Sequence, residues 1–372
     1  MKLAKRMNVF PEYIFSTLNK KVKEIEQESG REILNLAIGN PDFPPSDKCL
    51  KELKKLIDDP HAHLYPGYEP TIEFQQALKD WYLKRFHVQL ENSELYPLLG
   101  SKDGISHLSL VLLDENDEVL IPDPGYPAYV GTCLMAGAKP IYYDSIQEIK
   151  NKISNKTKLI WLNFPSNPTG QVVNKDSLKK LVQLATKHKI WLAYDNAYSE
   201  ITFDNYKAPS ILEIPGAKNV AIEFGSLSKT FSLAGYRIGW VVGNLELIAA
   251  LAKIKSQFDS GLTLPLQKLA AFCLNDHDRK WHQSMISSYQ QRAKILSKHL
   301  KKLGLTFNLP KASLYIWAKI PNTYKNSGNF CLQLLKKKQI LIMPGTAFGK
   351  NGNKYVRISI SSNIERINEY FK

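Results

Sequence analysis

The chain has 372 residues, which is long enough for two domains or for one large and one smaller lobe, each with its own core. Hydrophobic residues form 44% of it and charged residues 23%, as is ordinary for a folded globular enzyme. No uninterrupted apolar stretch approaches about 18 residues, and no apolar signal segment follows the charged N-terminus, so we expect neither a membrane span nor secretion.

The net charge of +15 makes nucleic-acid binding a function to consider. Only eight of the fifty basic residues are arginine, and the lysines are scattered, which favours a solvated, lysine-rich surface over a nucleic-acid footprint. The four cysteines are far apart and form no Cys-x-x-Cys pair. We therefore expect reduced, packed thiols, no metal site, no nucleic-acid partner and a cytoplasmic location.

The N-terminal part of the chain is predicted to be an arm followed by an amphipathic helix over residues 16–29. A short strand beginning at residue 35 then breaks into a loop that Pro41, Pro44 and Pro45 hold away from helix. A helix over 48–56 follows. We assign residues 1–45 to the arm and to part of a smaller domain.

Residues 46–250 are predicted to form a large α/β domain. Its predicted strands are 118–121, 159–162, 190–194, 220–224 and 238–242. Helical patterns lie between them at 103–113, 126–136 and 175–189. Apolar strands separated by helices predict a mostly parallel central sheet that is covered by helices on both faces.

The pattern changes after about residue 245 to long helices and shorter strands. The predicted helices are 246–256 and 280–303, and the predicted strands are 313–320, 340–343 and 355–360. This change indicates a second, smaller α+β domain, which we assign to residues 251–372.

Polar and glycine-rich residues follow four of the predicted strands, in the segments 121–127, 162–170, 194–200 and 224–229. In open parallel sheets, ligands bind just beyond the carboxyl ends of the strands. The sequence therefore predicts that these four segments converge on one crevice.

The segment 225–240 carries a lysine between two apolar strands. We expect Lys229 to be partly desolvated there, which lowers the pKa of its amine and makes it a usable nucleophile towards a carbonyl. The hydroxyls of Ser226 and Ser228 and the guanidinium of Arg237 can together bind a small dianion beside it. These groups suit a phosphorylated cofactor that carries a carbonyl.

The other strand ends offer complementary groups. Asp195 follows an apolar strand, where a buried carboxylate needs a cationic partner such as a pyridinium nitrogen. Asn167 and Tyr198 can hydrogen-bond a ring oxygen, Tyr126 can lie on a ring face, and Ser101 opens a helix where a phosphate would bind. Taken singly, each has an ordinary alternative, such as a helix cap for Asp195 or a core aromatic for Tyr126. Their joint placement favours the binding site.

Several motifs carry a family resemblance. They are LGSKDGISH at 99–107, VLIPDPGYPAY at 119–129, NFPSNPTG at 163–170, AYDNAYSE at 193–200, SLSKTFSLAGYRIG at 226–239 and KSQFDSG at 255–261. They resemble the class I aminotransferases of pyridoxal phosphate (PLP) fold type I, within them the LL-diaminopimelate and aspartate subgroup. The resemblance runs from IGNPDF at 38–43 to YVRI at 355–358 and is more specific for fold and cofactor than for substrate.

The resemblance implies that the cofactor is pyridoxal 5′-phosphate. Lys229 would bond covalently to its aldehyde and move the proton between the substrate Cα and the cofactor C4′. Asp195 would pair with the pyridinium nitrogen, and Tyr126 would stack on the ring. The phenolate oxygen would be bound by Asn167 and Tyr198. The phosphate would be bound by Ser101, Ser226, Ser228 and Arg237, with Lys102 nearby.

The resemblance also implies a substrate site and a partner. Arg357 would bind the substrate α-carboxylate, with Gly39, Asn167 and Tyr13 completing that site. The sequence supports Arg357 independently, because an arginine inside the apolar strand 355–360 needs an anionic partner. Tyr65 would reach the phosphate of a neighbouring subunit, so the resemblance implies a homodimer.

The function expected from this resemblance is a PLP-dependent aminotransferase with a ping-pong mechanism. The amino donor would be LL-diaminopimelate or aspartate, with alanine or aromatic amino acids as further candidates, and the acceptor a 2-oxo acid such as 2-oxoglutarate. A β-lyase or decarboxylase would use the same lysine and aspartate and stays open as an alternative. A non-catalytic binding or regulatory relative is a second alternative, which the intact functional residues disfavour.

Overall fold

A computed structural model of the chain describes residues 2–4, 7–8, 10, 22, 24–27, 30–276 and 278–372. Its strands, numbered along the chain, are β1 (Leu34–Asn35), β2 (Leu95–Leu98), β3 (Glu118–Pro122), β4 (Lys139–Tyr143), β5 (Thr157–Asn163), β6 (Trp191–Asp195), β7 (Ala221–Ser226), β8 (Gly239–Gly243), β9 (Tyr315–Lys319), β10 (Ile340–Leu341), β11 (Met343–Pro344) and β12 (Tyr355–Ser359).

The helices numbered in the same way are α1 (Asp47–Ile57), α2 (Ile72–Phe86), α3 (Ser101–Leu112), α4 (Pro127–Met135), α5 (Ile149–Lys152), α6 (Lys175–His188), α7 (Leu227–Thr230), α8 (Leu245–Lys255), α9 (Leu264–Asn275), α10 (Arg279–Lys302), α11 (Ser327–Lys338) and α12 (Ile364–Tyr370). Side-chain caps mark where several of them begin. Ser46, Thr71 and Asn174 each accept a backbone N–H from the first turn of the helix that follows.

The main sheet has seven strands in the order β2-β8-β7-β6-β5-β3-β4. Strands β3 to β7 are mutually parallel, whereas β8 is antiparallel to both of its neighbours. The central strands are almost entirely buried, because helices cover both faces of the sheet. The predicted α/β class and the mostly parallel sheet are confirmed.

The two edge strands of this sheet, β2 and β4, were absent from the sequence prediction. Each contains a proline, Pro97 in β2 and Pro140 in β4, and a proline within an apolar run argues against a central strand because it cannot donate a ladder hydrogen bond. Edge positions tolerate proline, since one side of the strand has no partner.

The smaller domain contains a three-stranded sheet in the order β11-β12-β9 and the pair β1-β10. The long helix α10 packs on this part through Met285, Tyr289, Leu296 and Leu300, which share one hydrophobic cluster with residues of β9 and β12. The N-terminal strand β1 pairs in parallel with β10, and Leu34 of β1 shares the same hydrophobic cluster. The assignment of residues 1–45 to an arm and part of this domain stays a prediction.

Helix α9 lies on the side of the large domain. Leu269, Ala270 and Leu274 share the hydrophobic cluster of α1 and α2, and Gln267 accepts the backbone N–H of Thr71 at 2.8 Å. The division predicted at residue 250 places this helix in the smaller domain, whereas its packing associates it with the large one.

The predicted helix over 16–29 falls largely on residues outside the described part of the chain. Within the described residues, no helix combines the length and apolar character that crossing a membrane requires.

Candidate active site

A cavity of about 250 Å³ opens at the carboxyl ends of β3, β5, β6 and β7. The residues predicted from the sequence that line it are Gly39, Ser101, Lys102, Tyr126, Asn167, Asp195, Tyr198, Ser226, Ser228, Lys229, Arg237 and Arg357. Segments more than 300 residues apart in the sequence therefore meet at one site. The convergence expected at the strand ends is confirmed.

Lys229 lies in the wall of this cavity on the four-residue helix α7, directly after β7. The side chain of Ser226 caps that helix by accepting the backbone N–H of Ser228 at 3.0 Å. The Lys229 amine donates to the carbonyl of Gly39 at 2.7 Å. Burial, reinforced by the positive charges of Arg357 and Arg237, lowers the pKa of Lys229 to about 8. The amine is therefore close to the state in which it can attack a carbonyl.

Asp195 ends β6 and is only 6% exposed. Its Oδ2 accepts the hydroxyl of Tyr129 at 2.6 Å, and its Oδ1 accepts the backbone N–H of Ala197 at 3.3 Å. Burial raises the pKa of Asp195, and the two hydrogen bonds oppose that shift. Among the described residues no lysine, arginine or histidine lies within ion-pair distance of it. The cavity thus contains a buried carboxylate that a bound cation would stabilise.

An anion-binding cradle lies at the beginning of α3. Gly100 precedes this helix with a φ of 81° and provides no side-chain cap, which leaves the first N–H groups available to a ligand. A Cβ on Gly100 would lie 2.5 Å from Nη2 of Arg237, so only glycine lets the guanidinium approach the helix. Arg237 itself has a φ of 58°, a left-handed conformation that is uncommon outside glycine and is frequent at functional sites.

Arg357 lies on β12 of the smaller domain and is 2% exposed. Its guanidinium donates to Oδ1 of Asn167 at 2.7 Å and to the carbonyl of Ala37 at 2.5 Å. The group is packed between the rings of Tyr315 and Phe348, with its central carbon 4.2 Å and 4.5 Å from the two centroids. A planar donor held in this way can bind a carboxylate with two parallel hydrogen bonds.

Among the described residues, Tyr65 is the one predicted site residue that does not line the cavity. Tyr65 is 86% exposed on a loop between α1 and α2. Tyr13 lies outside the described residues.

Three further residues belong to the site and were not predicted. Tyr129 supports Asp195 and stacks on Trp161 with ring centroids 4.7 Å apart. Asn163 accepts the backbone N–H of Asn167 at 2.8 Å, and Tyr315 shares a hydrogen bond of 2.9 Å with the hydroxyl of Tyr198. Asn163 and Tyr129 lie in motifs that the sequence had already singled out, at 163–170 and 119–129, whereas Tyr315 carries no local signal.

Comparison with known proteins agrees with this geometry. The family model "Aminotransferase class I and II" matches residues 31–371. The LL-diaminopimelate aminotransferase of Dehalococcoides mccartyi is 40% identical over 99% of this chain and 96% of its own length. That of Aquifex aeolicus is 38% identical over 98% of this chain and 96% of its own length.

Solved structures show the same similarity. Apo-BacF from Bacillus subtilis superposes with a TM-score of 0.94 and 32% identity, covering 100% of this chain and 97% of its own. An aminotransferase from Staphylococcus aureus superposes with a TM-score of 0.90 and 30% identity, covering 99% and 97%. The chain belongs to the class I and II aminotransferases. It is a PLP-dependent transaminase of fold type I, as the resemblance of its motifs implied.

The charges of the cavity fit pyridoxal 5′-phosphate. Its wall carries four cationic side chains, those of Lys102, Lys229, Arg237 and Arg357, and one carboxylate, that of Asp195. A phosphate dianion and a substrate carboxylate would balance this excess of positive charge, while a protonated ring nitrogen would pair with Asp195.

Proposed function

We propose that this transaminase takes the amino group from LL-diaminopimelate and passes it to a 2-oxo acid such as 2-oxoglutarate. Relatives named for that reaction match essentially the whole chain at 37–40% identity. The observation that carries the mechanism is the single cavity that contains both the Lys229 amine, with its lowered pKa, and the buried Asp195 carboxylate.

Lys229 has two roles in this proposal. Its amine would hold the cofactor through the aldehyde, and as a free amine it would move a proton between the substrate Cα and the cofactor C4′. A pKa near 8 suits both roles, because the amine can give up and accept a proton near neutral pH. When bound, PLP supplies an electron sink for the carbanion that forms at the substrate Cα.

Asp195 keeps the cofactor ring nitrogen protonated. Opposite charges about 4 Å apart at an effective dielectric constant near 20 interact by about 4 kcal/mol, which corresponds to about three pKa units. Tyr129 orients the carboxylate through its hydrogen bond of 2.6 Å. Asn167 and Tyr198 bind the ring oxygen, and Tyr126 covers a ring face.

The cradle at the beginning of α3 would hold the cofactor phosphate. The hydroxyls of Ser101, Ser226 and Ser228 and the guanidinium of Arg237 bind its oxygens, and Lys102 adds positive charge nearby. Burial and the charge of Arg237 lower the pKa of Lys102, so binding of a dianion would relieve repulsion between these two cations.

Arg357 binds the α-carboxylate of the amino acid, and Asn167 and the backbone of Gly39 complete that contact. Asn167 accepts a hydrogen bond from Arg357 at 2.7 Å, which supports a role for it in both the carboxylate site and the ring-oxygen site. Tyr13 is a further proposed substrate contact.

The active unit is proposed to be a homodimer. Tyr65 is almost fully exposed, which suits a side chain that reaches the phosphate of a second subunit. We also propose a cytoplasmic location, in agreement with the four free thiols.

An amino-donor panel tests the substrate. With 2-oxoglutarate as acceptor, we expect glutamate to form fastest with LL-diaminopimelate, while aspartate, alanine and aromatic donors are slower. Formation of glutamate from every donor except LL-diaminopimelate would refute the proposed substrate. Release of a 2-oxo acid and ammonia without any acceptor would favour the β-lyase alternative.

The variant Arg357→Ala tests the carboxylate site. It should raise the KM for the donor by about 100-fold, since it removes charged hydrogen bonds, and leave PLP affinity near that of the wild type.

A further inference from the structure

The most deeply buried lysine of the described chain lies outside the active site, between two carboxylates behind the phosphate cradle. Lys255, at the end of α8, is 1% exposed and does not line the cavity. Its amine lies 2.8 Å from Oδ2 of Asp103 and 2.5 Å from Oδ2 of Asp259. A buried lysine between two carboxylates is costly to desolvate, so its retention calls for a physical reason.

Asp103 connects this cluster to the cradle. It lies in the first turn of α3, two residues after Ser101, and its Oδ2 also accepts the backbone N–H of Leu99 at 3.0 Å. Nδ1 of His107 lies 3.1 Å from its other oxygen. Although burial opposes ionisation, the hydrogen bonds from His107 and Lys255 lower the pKa of Asp103 to about 2. A permanent negative charge therefore lies in the turn that is to receive a phosphate.

Lys255 offsets that charge. An uncompensated carboxylate in the first turn of α3 would repel a dianion bound to the same turn, because the interior screens charges weakly. The ammonium at 2.8 Å neutralises Asp103 and leaves the N-terminal N–H groups of the helix attractive to an anion.

Asp259 connects the cluster to a second loop. Its Oδ1 accepts the backbone N–H of Gly261 at 2.8 Å. A Cβ on Gly261 would lie 2.7 Å from the carbonyl oxygen of Gly67, so the two backbones touch. Gly67 lies two residues from Tyr65 in the same loop. The contacts thus run from the first turn of α3 through Lys255 to the exposed loop that carries Tyr65.

We propose that Lys255 is a positioning residue for phosphate binding: it neutralises Asp103 and fixes the first turn of α3 against the loops at 63–70 and 256–262. The affinity for the cofactor phosphate then depends on a side chain that does not contact it. This inference rests on the proposed cofactor site.

The test compares PLP with pyridoxal, which has the aldehyde and ring but lacks the phosphate. Both are titrated into the apoenzymes of the wild type, Lys255→Met and the control Lys253→Met, which removes an exposed charge from the same helix. We expect Lys255→Met to raise the Kd for PLP by about 10- to 100-fold while the Kd for pyridoxal stays within about twofold. Lys253→Met should change neither.

Asp259→Asn is a second variant for the case that Lys255→Met does not fold. We expect it to fold because it keeps the buried ion pair between Lys255 and Asp103. Although it removes one negative charge, it also weakens the contact that holds the loop at 256–262. It should therefore raise the Kd for PLP by a smaller factor, about three- to tenfold, again without effect on pyridoxal. Unchanged PLP affinity in a folded Lys255→Met, or an equal loss for both ligands, would overturn the inference. A wild type that binds neither ligand would instead refute the cofactor site itself.

Discussion

Asp195 and Glu223 are buried carboxylates on neighbouring strands of the main sheet, and they differ in what surrounds them. Asp195 ends β6 at the cavity and receives one hydroxyl and one backbone N–H. Glu223 lies inside β7, is 1% exposed and receives four donors. Those donors are the side chains of Tyr82, Asn196 and Ser210 and the backbone N–H of Ile211.

The difference separates a ligand-binding acid from a structural one. Three of the four donors of Glu223 belong to the loop at 196–211 and fix it against the sheet. Protein groups therefore satisfy the hydrogen-bonding capacity of this acid. The Asp195 carboxylate can accept further hydrogen bonds, and it faces the cavity, where a bound cation can pair with it. Even so, burial raises the pKa of Glu223 to about 7 and also raises that of Asp195, which shows that a shifted pKa alone does not identify the functional acid.

Replacing Asp195 should give the largest effect on catalysis. Asp195→Asn removes the negative charge that keeps the ring nitrogen protonated, and we expect kcat to fall by about 1000-fold. The free energy of unfolding of the apoenzyme should not fall, because the variant removes a buried carboxylate that has no cationic partner among the described residues. Steady-state assays and chemical denaturation measure the two quantities. If kcat of Asp195→Asn fell by less than tenfold, Asp195 could not be distinguished from Glu223 as the ligand-binding acid.

Replacing Glu223 should mainly affect stability. Glu223→Ala leaves buried donors of Tyr82, Ser210 and Ile211 without their acceptor, and we expect the free energy of unfolding to fall by about 3 kcal/mol or more. At saturating PLP the folded variant should retain most of its kcat. The exposed Glu115→Ala serves as the control and should alter neither quantity. A Glu223→Ala enzyme that is stable but inactive would place this acid in the functional class.

The pH dependence of Lys229 gives a smaller effect that sharpens the same comparison. Because burial lowers the pKa of this amine to about 8, its neutral fraction rises as pH increases through 8. The rate at which the apoenzyme bonds covalently to PLP should rise about tenfold per pH unit below that value and level off above it. Stopped-flow absorbance between pH 7 and 10 measures it. A rate that keeps rising towards pH 10.5 would show that the amine is not desolvated.

The sequence could predict the residues that follow apolar strands. Lys229, Asp195 and Asn167 were assigned because polar residues directly after buried strands of a parallel sheet converge on one edge. Arg357 was found by a similar argument, since an arginine inside an apolar strand needs an acceptor. These inferences use the pattern of apolar and polar residues along each strand and the rule that ligands bind at the carboxyl ends of parallel strands.

Other features depend on contacts that no local pattern contains. Tyr129 supports Asp195 only because α4 brings its hydroxyl to the end of β6, and Glu223 is a structural acid only because a distant helix supplies Tyr82. Lys255 lies in a motif that indicated the family but gave no role for this lysine. Its role could be inferred only from the structure, which places Asp103 and Asp259 beside its amine.

The proposed chemistry requires a covalent bond between Lys229 and the cofactor, and peptide mapping after reduction tests for this bond directly. The enzyme is loaded with PLP, treated with borohydride, digested and analysed by mass spectrometry, with Lys229→Ala as the control. We predict one phosphopyridoxyl group on Lys229 of the wild type and none in the control. A label on another lysine, or an unlabelled wild type, would contradict the account.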